Sequence, residues 1–64
     1  MSKKRFLVTG WASTPGRDYR VKLVVSVKDK RQAADEALNR AMQAIGVVGA
    51  TWKRTPDISS YTGV

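Results

Sequence analysis

Seven side chains in this 64-residue chain are suited to chemistry on a partner: Arg5, Trp11, Arg20, Lys22, Trp52, Lys53 and Arg54. The chemistry is recognition of a polyanion, because Lys and Arg neutralise phosphates and an indole ring offers a face on which any base can stack. The spacing supports this. Arg5, Leu7, Thr9 and Trp11 alternate along one extended stretch, and Arg20, Lys22, Val24 and Ser26 along another, so that each set lies on one face of its strand. Edge protection is the competing account of Arg20 and Lys22, since charges on an open strand discourage sheet-to-sheet pairing. For each tryptophan the competing account is core packing, and the sequence leaves open which of Trp11 and Trp52 is exposed.

Charge points the same way. Twelve Lys and Arg stand against five Asp and Glu, a net charge of +7, which attracts polyanions or acidic protein surfaces at long range. Solubility alone would also use such a charge. A second basic group, Arg17, Lys28, Lys30 and Arg31, is a candidate cationic rim with Arg20, the competing and slightly favoured account being solvated surface charge. Cations in a first helical turn oppose the helix dipole, so local helix stability does not account for Lys30 and Arg31.

Catalysis is not expected. The chain contains no histidine and no cysteine, which removes the usual general base, the usual metal ligands and any disulfide. The five carboxylates have structural duties: Asp18 in a turn, Asp29 as a helix cap, Asp35 and Glu36 within the helix, and Asp57 in a tail. No cofactor or metal is expected. No apolar run approaches the ~18 residues of a membrane span, and Phe6 to Val8 is too brief for the apolar core of a signal peptide. The expectation is a soluble cytoplasmic protein with no membrane partner.

The elements that must position these residues are legible in order. Arg5 to Ala12 reads as a strand rich in aromatic and β-branched residues. Phe6 and Val8 are assigned to the helix side, with Gly10 letting the helix approach; the opposite parity would bury Leu7 and Trp11 instead. Ser13 to Arg17 is a turn in which Pro15 and Gly16 suit the central positions of a type II turn. Asp18 to Lys28 is a second strand with Tyr19, Val21, Leu23, Val25 and Val27 facing the helix.

Asp29 to Gly46 carries the signals of one complete helix. Asp29 is a suitable N-cap, Gln32 can reach back as in a capping box, and Gly46 supplies the left-handed stop. Its apolar stripe is Ala34, Ala37, Leu38, Ala41, Met42 and Ile45. Three of these are alanine, so the sheet must supply most of the bulk. Arg40 is placed to pair with Glu36 one turn away. Val47 to Thr55 reads as a third strand weakened or bulged at Gly49, and Pro56 ends it.

The fold expected is α+β: a β-β-α-β chain with a three-stranded antiparallel or mixed sheet in the order 2-1-3 and the helix on one face. One domain spans residues 1–56, and residues 57–64 form a flexible tail in which Ile58 and Tyr61 could dock. The other sheet face has no cover.

KKRF opening the first strand at Lys3–Phe6, DEAL at Asp35–Leu38 and KRTP closing the third strand at Lys53–Pro56, taken with this element order, resemble the small inhibitor of bacterial RNA polymerase made by short-tailed coliphages. The likeness covers Lys3 to Pro56. It implies a protein that binds the polymerase and blocks transcription of host genes, with the family's basic residues at the end of the last strand falling at Lys53 and Arg54. One departure stands against a shared partner: that inhibitor is acidic overall and meets a basic polymerase surface, whereas this chain is strongly basic.

The functional expectation is a small basic binding protein, an accessory factor of phage or mobile-element type that acts on nucleic acid or nucleoprotein. Arg5, Trp11, Arg20, Lys22, Lys53 and Arg54 are its expected contacts. The alternative is an inhibitor that binds an acidic surface of a host protein such as RNA polymerase. A homodimer pairing edge strands or bare sheet faces is a third option. If the chain is phage-encoded, its compartment is the host cytoplasm.

Overall fold

In a computed structural model, which describes residues 3–61, the chain runs β1 (Lys4–Ser13), β2 (Asp18–Val27), α1 (Lys30–Ile45), β3 (Thr51–Trp52) and β4 (Asp57–Ser60). The architecture is α+β. β1 is the central strand: it pairs antiparallel with β2 on one side and with both β3 and β4 on the other, giving the order β2-β1-β3 with β4 further along the same edge.

β1 and β2 form because both are dominated by β-branched and aromatic residues that fit a pleated, half-buried surface. They pair over their whole length, Lys4 opposite Val27 through to Ser13 opposite Asp18. The connecting turn is held by Thr14, whose N–H donates to the Arg17 carbonyl (3.1 Å) and whose hydroxyl oxygen accepts from the Arg17 N–H (3.2 Å). The type II turn expected here does not form, since positive φ angles occur only at Gly46 and Gly49 among the described residues. Thr14 closes the turn without a left-handed residue at Gly16.

The core confirms the strand parity. Phe6, Val8, Val25 and Val27 are buried under Ala33 and Ala37 of α1, with Leu23, Trp52 and Ile58 packed at its margin. Gly10 has a different task from the one expected. A Cβ on it would meet Pro56 Cβ and Trp52 Cζ3 at 3.1 Å, so the space above Gly10 is filled by the chain returning from the helix rather than by the helix itself.

Local chemistry sets both ends of α1. The Asp29 carboxylate accepts from the N–H groups of Arg31 (2.8 Å) and Gln32 (3.3 Å), and Gly46 takes the left-handed conformation at φ 72°. The Gln32 side chain reaches the N–H of Lys28 at 3.3 Å, one residue earlier than a capping box requires. The buried stripe is turned relative to the one expected: Ala33 and Ala37 are buried, whereas Ile45 is exposed. The N-terminal half of the helix lies tightly on the sheet. Its C-terminal half leaves a groove of about 200 Å³ bounded by Leu23, Ala41, Met42, Ile45 and Ala50.

After the helix the chain departs from expectation twice. The third strand is confined to Thr51–Trp52 rather than running from Val47 to Thr55. Gly49 turns the chain at φ 79°, which no extended strand accommodates, and Val48 is left almost wholly exposed. The stretch expected as a tail instead forms β4, with Ile58 opposite Val8 and Asp57 opposite Thr9. From Trp52 opposite Ala12 to Asp57 opposite Thr9 the returning chain uses two more residues than β1, and this bulge carries Pro56 over Gly10. An even insertion restores the side-chain alternation, so Trp52 and Ile58 both face the helix. Residues 1–2 and 62–64, part of the expected frayed start and tail, lie outside the described residues. No helix among the described residues is long and apolar enough to cross a membrane.

Candidate nucleic-acid interface

Strand alternation and the observed register decide which chemistry-bearing residues share a surface. With Phe6, Val8 and Ala12 turned to the helix, the opposite face of the sheet must carry Arg5, Leu7, Thr9 and Trp11 from β1 and Arg20, Lys22, Val24 and Ser26 from β2. Trp11 lies directly opposite Arg20, Thr9 opposite Lys22, Leu7 opposite Val24 and Arg5 opposite Ser26. Nothing among the described residues covers this face.

The two tryptophans are thereby assigned. Trp52 is half-buried on the helix side, and its indole N–H donates to the Ala34 carbonyl at 3.2 Å. Trp11 is 50% exposed on the bare face.

Around Trp11 the polar groups converge. The Lys53 N–H donates to the Trp11 carbonyl at 2.8 Å, which brings the chain just after β3 alongside the ring. The Lys53 ammonium reaches back across β1 to the Asp18 carboxylate at 2.7 Å. That hydrogen bond, helped by the positive charge and by Ser13, holds the Asp18 carboxyl below its ordinary value of 3.8 against the opposing effect of desolvation. Trp11, Asp18, Lys53 and Arg54 together bound an open cleft of about 350 Å³.

Of the six residues expected to form one contact surface, Trp11, Arg20, Lys53 and Arg54 are gathered at one end of the sheet, and Lys22 stands opposite Thr9, nearer its middle. Arg5 shares the face but lies six residues from Trp11 along β1, about 20 Å at the rise of a strand. The candidate rim does not assemble. Arg17 sits in the turn before β2, its guanidinium 5.1 Å from the Tyr19 ring centre, whereas Lys28, Lys30 and Arg31 follow the far end of β2. The whole length of that strand separates them, and Lys28, Lys30 and Arg31 lie instead at the Arg5 end. Every cation except Arg40, which pairs with Glu36 at 2.9 Å, therefore falls toward one end of the sheet or the other, save Lys22 between them.

Sequence reasoning missed Asp18 as part of the site. Its turn position was legible, but the contact with Lys53 bridges residues far apart in the chain and follows only from the register. Asp57 was likewise missed on the bare face, where it stands opposite Thr9. Among the described residues no three of His, Cys, Asp and Glu are grouped to hold a metal ion.

The fold and the site define a small α+β domain with one covered and one bare sheet face, the bare face being cationic and aromatic. Comparison with protein-family models, with curated proteins and with solved structures returns no match.

Proposed function

We propose that this protein is a non-enzymatic nucleic-acid-binding factor that uses the bare face of its sheet. The carrying observation is the placement of Trp11: half-exposed on the central strand, directly across from Arg20 and hydrogen-bonded through its carbonyl to Lys53. Five cations, Arg5, Arg20, Lys22, Lys53 and Arg54, stand on or beside this face against two carboxylates, Asp18 and Asp57. Phosphates supply the binding energy and the ring supplies contact with a base or sugar. The lack of histidine and cysteine, and carboxylates engaged as a cap and as ion-pair partners, support a binding role over a catalytic one.

The test is a titration of labelled oligonucleotides at two salt concentrations, repeated with Lys22→Glu combined with Arg54→Glu. This pair leaves the Asp18–Lys53 contact intact. Micromolar binding that weakens with salt is expected, and the double variant should bind at least about tenfold more weakly at the lower salt concentration. Absence of binding at low salt would overturn the reading and assign the positive charge to an acidic protein surface or to solubility.

A further inference from the structure

Building on that reading, we infer that the ligand is single-stranded, with one base stacked on Trp11 inside the cleft that Asp18, Lys53 and Arg54 complete. The strand then runs along β1 toward Arg5. Three features of the surface carry this.

The first is the exposed ring. Trp11 presents its indole at a flat, pleated surface with a cation directly opposite it. Bases within a duplex are covered on both faces by their neighbours, so only an unpaired base can use such a ring. The second is what the bare face lacks. Duplex readers insert a helix or a ribbon into a groove, but α1 lies on the opposite side of the sheet and the Thr14–Arg17 turn is folded onto itself, with Arg17 over Tyr19. Between Trp11 and Arg5 no ring interrupts the surface: Thr9 stands between Lys22 on β2 and Asp57 on β4, and Leu7 between Val24 and Ser59, so the phosphates keep to the Lys22 side. A splayed strand can lie on it.

The third is the acid in the cleft. A carboxylate is unfavourable beside a phosphate, yet Asp18 lines the space next to Trp11. Turned from Lys53 toward a stacked base, it accepts hydrogen bonds from ring or amino N–H groups and releases the ammonium it holds at 2.7 Å, so that Lys53 joins Arg54 at the flanking phosphates. The cleft volume of about 350 Å³ lies at the small end of the range for ligand sites, room for roughly one nucleotide. The distance from Trp11 to Arg5 gives a footprint of about four nucleotides, the low end for sheet platforms of this kind.

The experiment compares a fluorescein-labelled DNA single strand of about eight nucleotides, its RNA counterpart and the corresponding duplex by anisotropy, with wild type, Trp11→Ala and Trp11→Phe. The footprint sets the probe length, with room for one full site. Single strands are expected to bind at least about tenfold tighter than the duplex. Trp11→Ala should remove about tenfold of the single-strand affinity without changing duplex binding, and Trp11→Phe should restore most of it. Because the ring is half exposed, both variants keep the core, which their thermal melts will show. Binding indifferent to strandedness and to Trp11 would overturn this inference while leaving nucleic-acid binding in place. No binding to any probe would overturn the underlying reading itself.

Discussion

The indole N–H of Trp52 donates to the backbone carbonyl of Ala34 at 3.2 Å, tying the short strand after the helix to the helix itself. This contact holds Trp52, whereas Trp11 is turned outward by the parity of β1, in which Phe6, Val8 and Ala12 are buried. With Trp52 fixed on the helix side opposite Ala12, the register places Lys53 on the other face beside Trp11. Trp52→Ala is expected to lose about 3 kcal/mol, the cost of deleting a large ring from a core margin. A 64-residue domain has only about 3–10 kcal/mol in total, so the variant should be largely unfolded by urea concentrations that leave wild type intact. Trp52→Phe, which removes the donor but keeps most of the packing, should cost nearer 1 kcal/mol.

Gly10 is expected to be intolerant of even a methyl group. Its φ is not positive, so backbone strain is not the reason. A Cβ would lie 3.1 Å from Pro56 Cβ, 3.1 Å from the Trp52 ring and 3.2 Å from Pro56 Cα, and neither a proline nor a wedged indole yields easily. Overpacking of about 1–3 kcal/mol outweighs the fraction of a kcal/mol gained by restricting the unfolded chain. Urea melts of Gly10→Ala should therefore show net destabilisation of about 1 kcal/mol, and a gain in stability would show that Pro56 moves freely.

The cap at Asp29 gives an independent check on the helix. Its carboxylate satisfies the N–H groups of Arg31 and Gln32, so Asp29→Ala should cost about 1 kcal/mol in a urea melt and Asp29→Asn much less. Lys30 opens the first turn, where positive charge opposes the helix dipole. Lys30→Glu should stabilise the domain by about 0.3–1 kcal/mol. If it does, the native cation is maintained against the interest of the helix.

The parts of this molecule that sequence could specify are those set by neighbouring residues. Asp29 and Gly46 end the helix by their own chemistry, and β1 and β2 declare themselves by composition and alternation. Parity in β1 was open because Phe6 and Val8 compete with Leu7 and Trp11 on equal terms; Gly10 was the deciding residue, though for the sake of Pro56 and Trp52 rather than the helix. β4 was invisible because Asp57, Ser59 and Ser60 have no preference for a strand, and only Ile58 against Val8 draws the segment onto β1. The helix stripe shifted toward Ala33 because small side chains leave the rotation of a helix to its partner. The contact surface was half legible: alternation assigned Arg20 with Lys22 and Arg5 with Trp11, but the Asp18–Lys53 pairing and the splitting of the basic rim depend on how strands of known length lie side by side.

The Asp18–Lys53 pair ties stability to binding, and one variant tests both. The Lys53 hydrogen bond depresses the folded pKa of Asp18 below 3.8, so its contribution to stability is complete above the unfolded value and is lost as pH falls through the folded one. The difference in melting temperature between wild type and Asp18→Asn should accordingly be constant at neutral pH and shrink below about pH 4 as wild type loses the charge. In binding the sign reverses, because the carboxylate occupies the ammonium that a phosphate would use. Asp18→Asn frees Lys53 while its amide oxygen still accepts from a base. It should bind a single strand severalfold tighter at low salt, and the log–log salt slope should steepen by about 0.7, one additional phosphate neutralised. An unchanged slope would mean that Lys53 never meets a phosphate, and the path of the strand would have to be redrawn around Arg20 and Lys22.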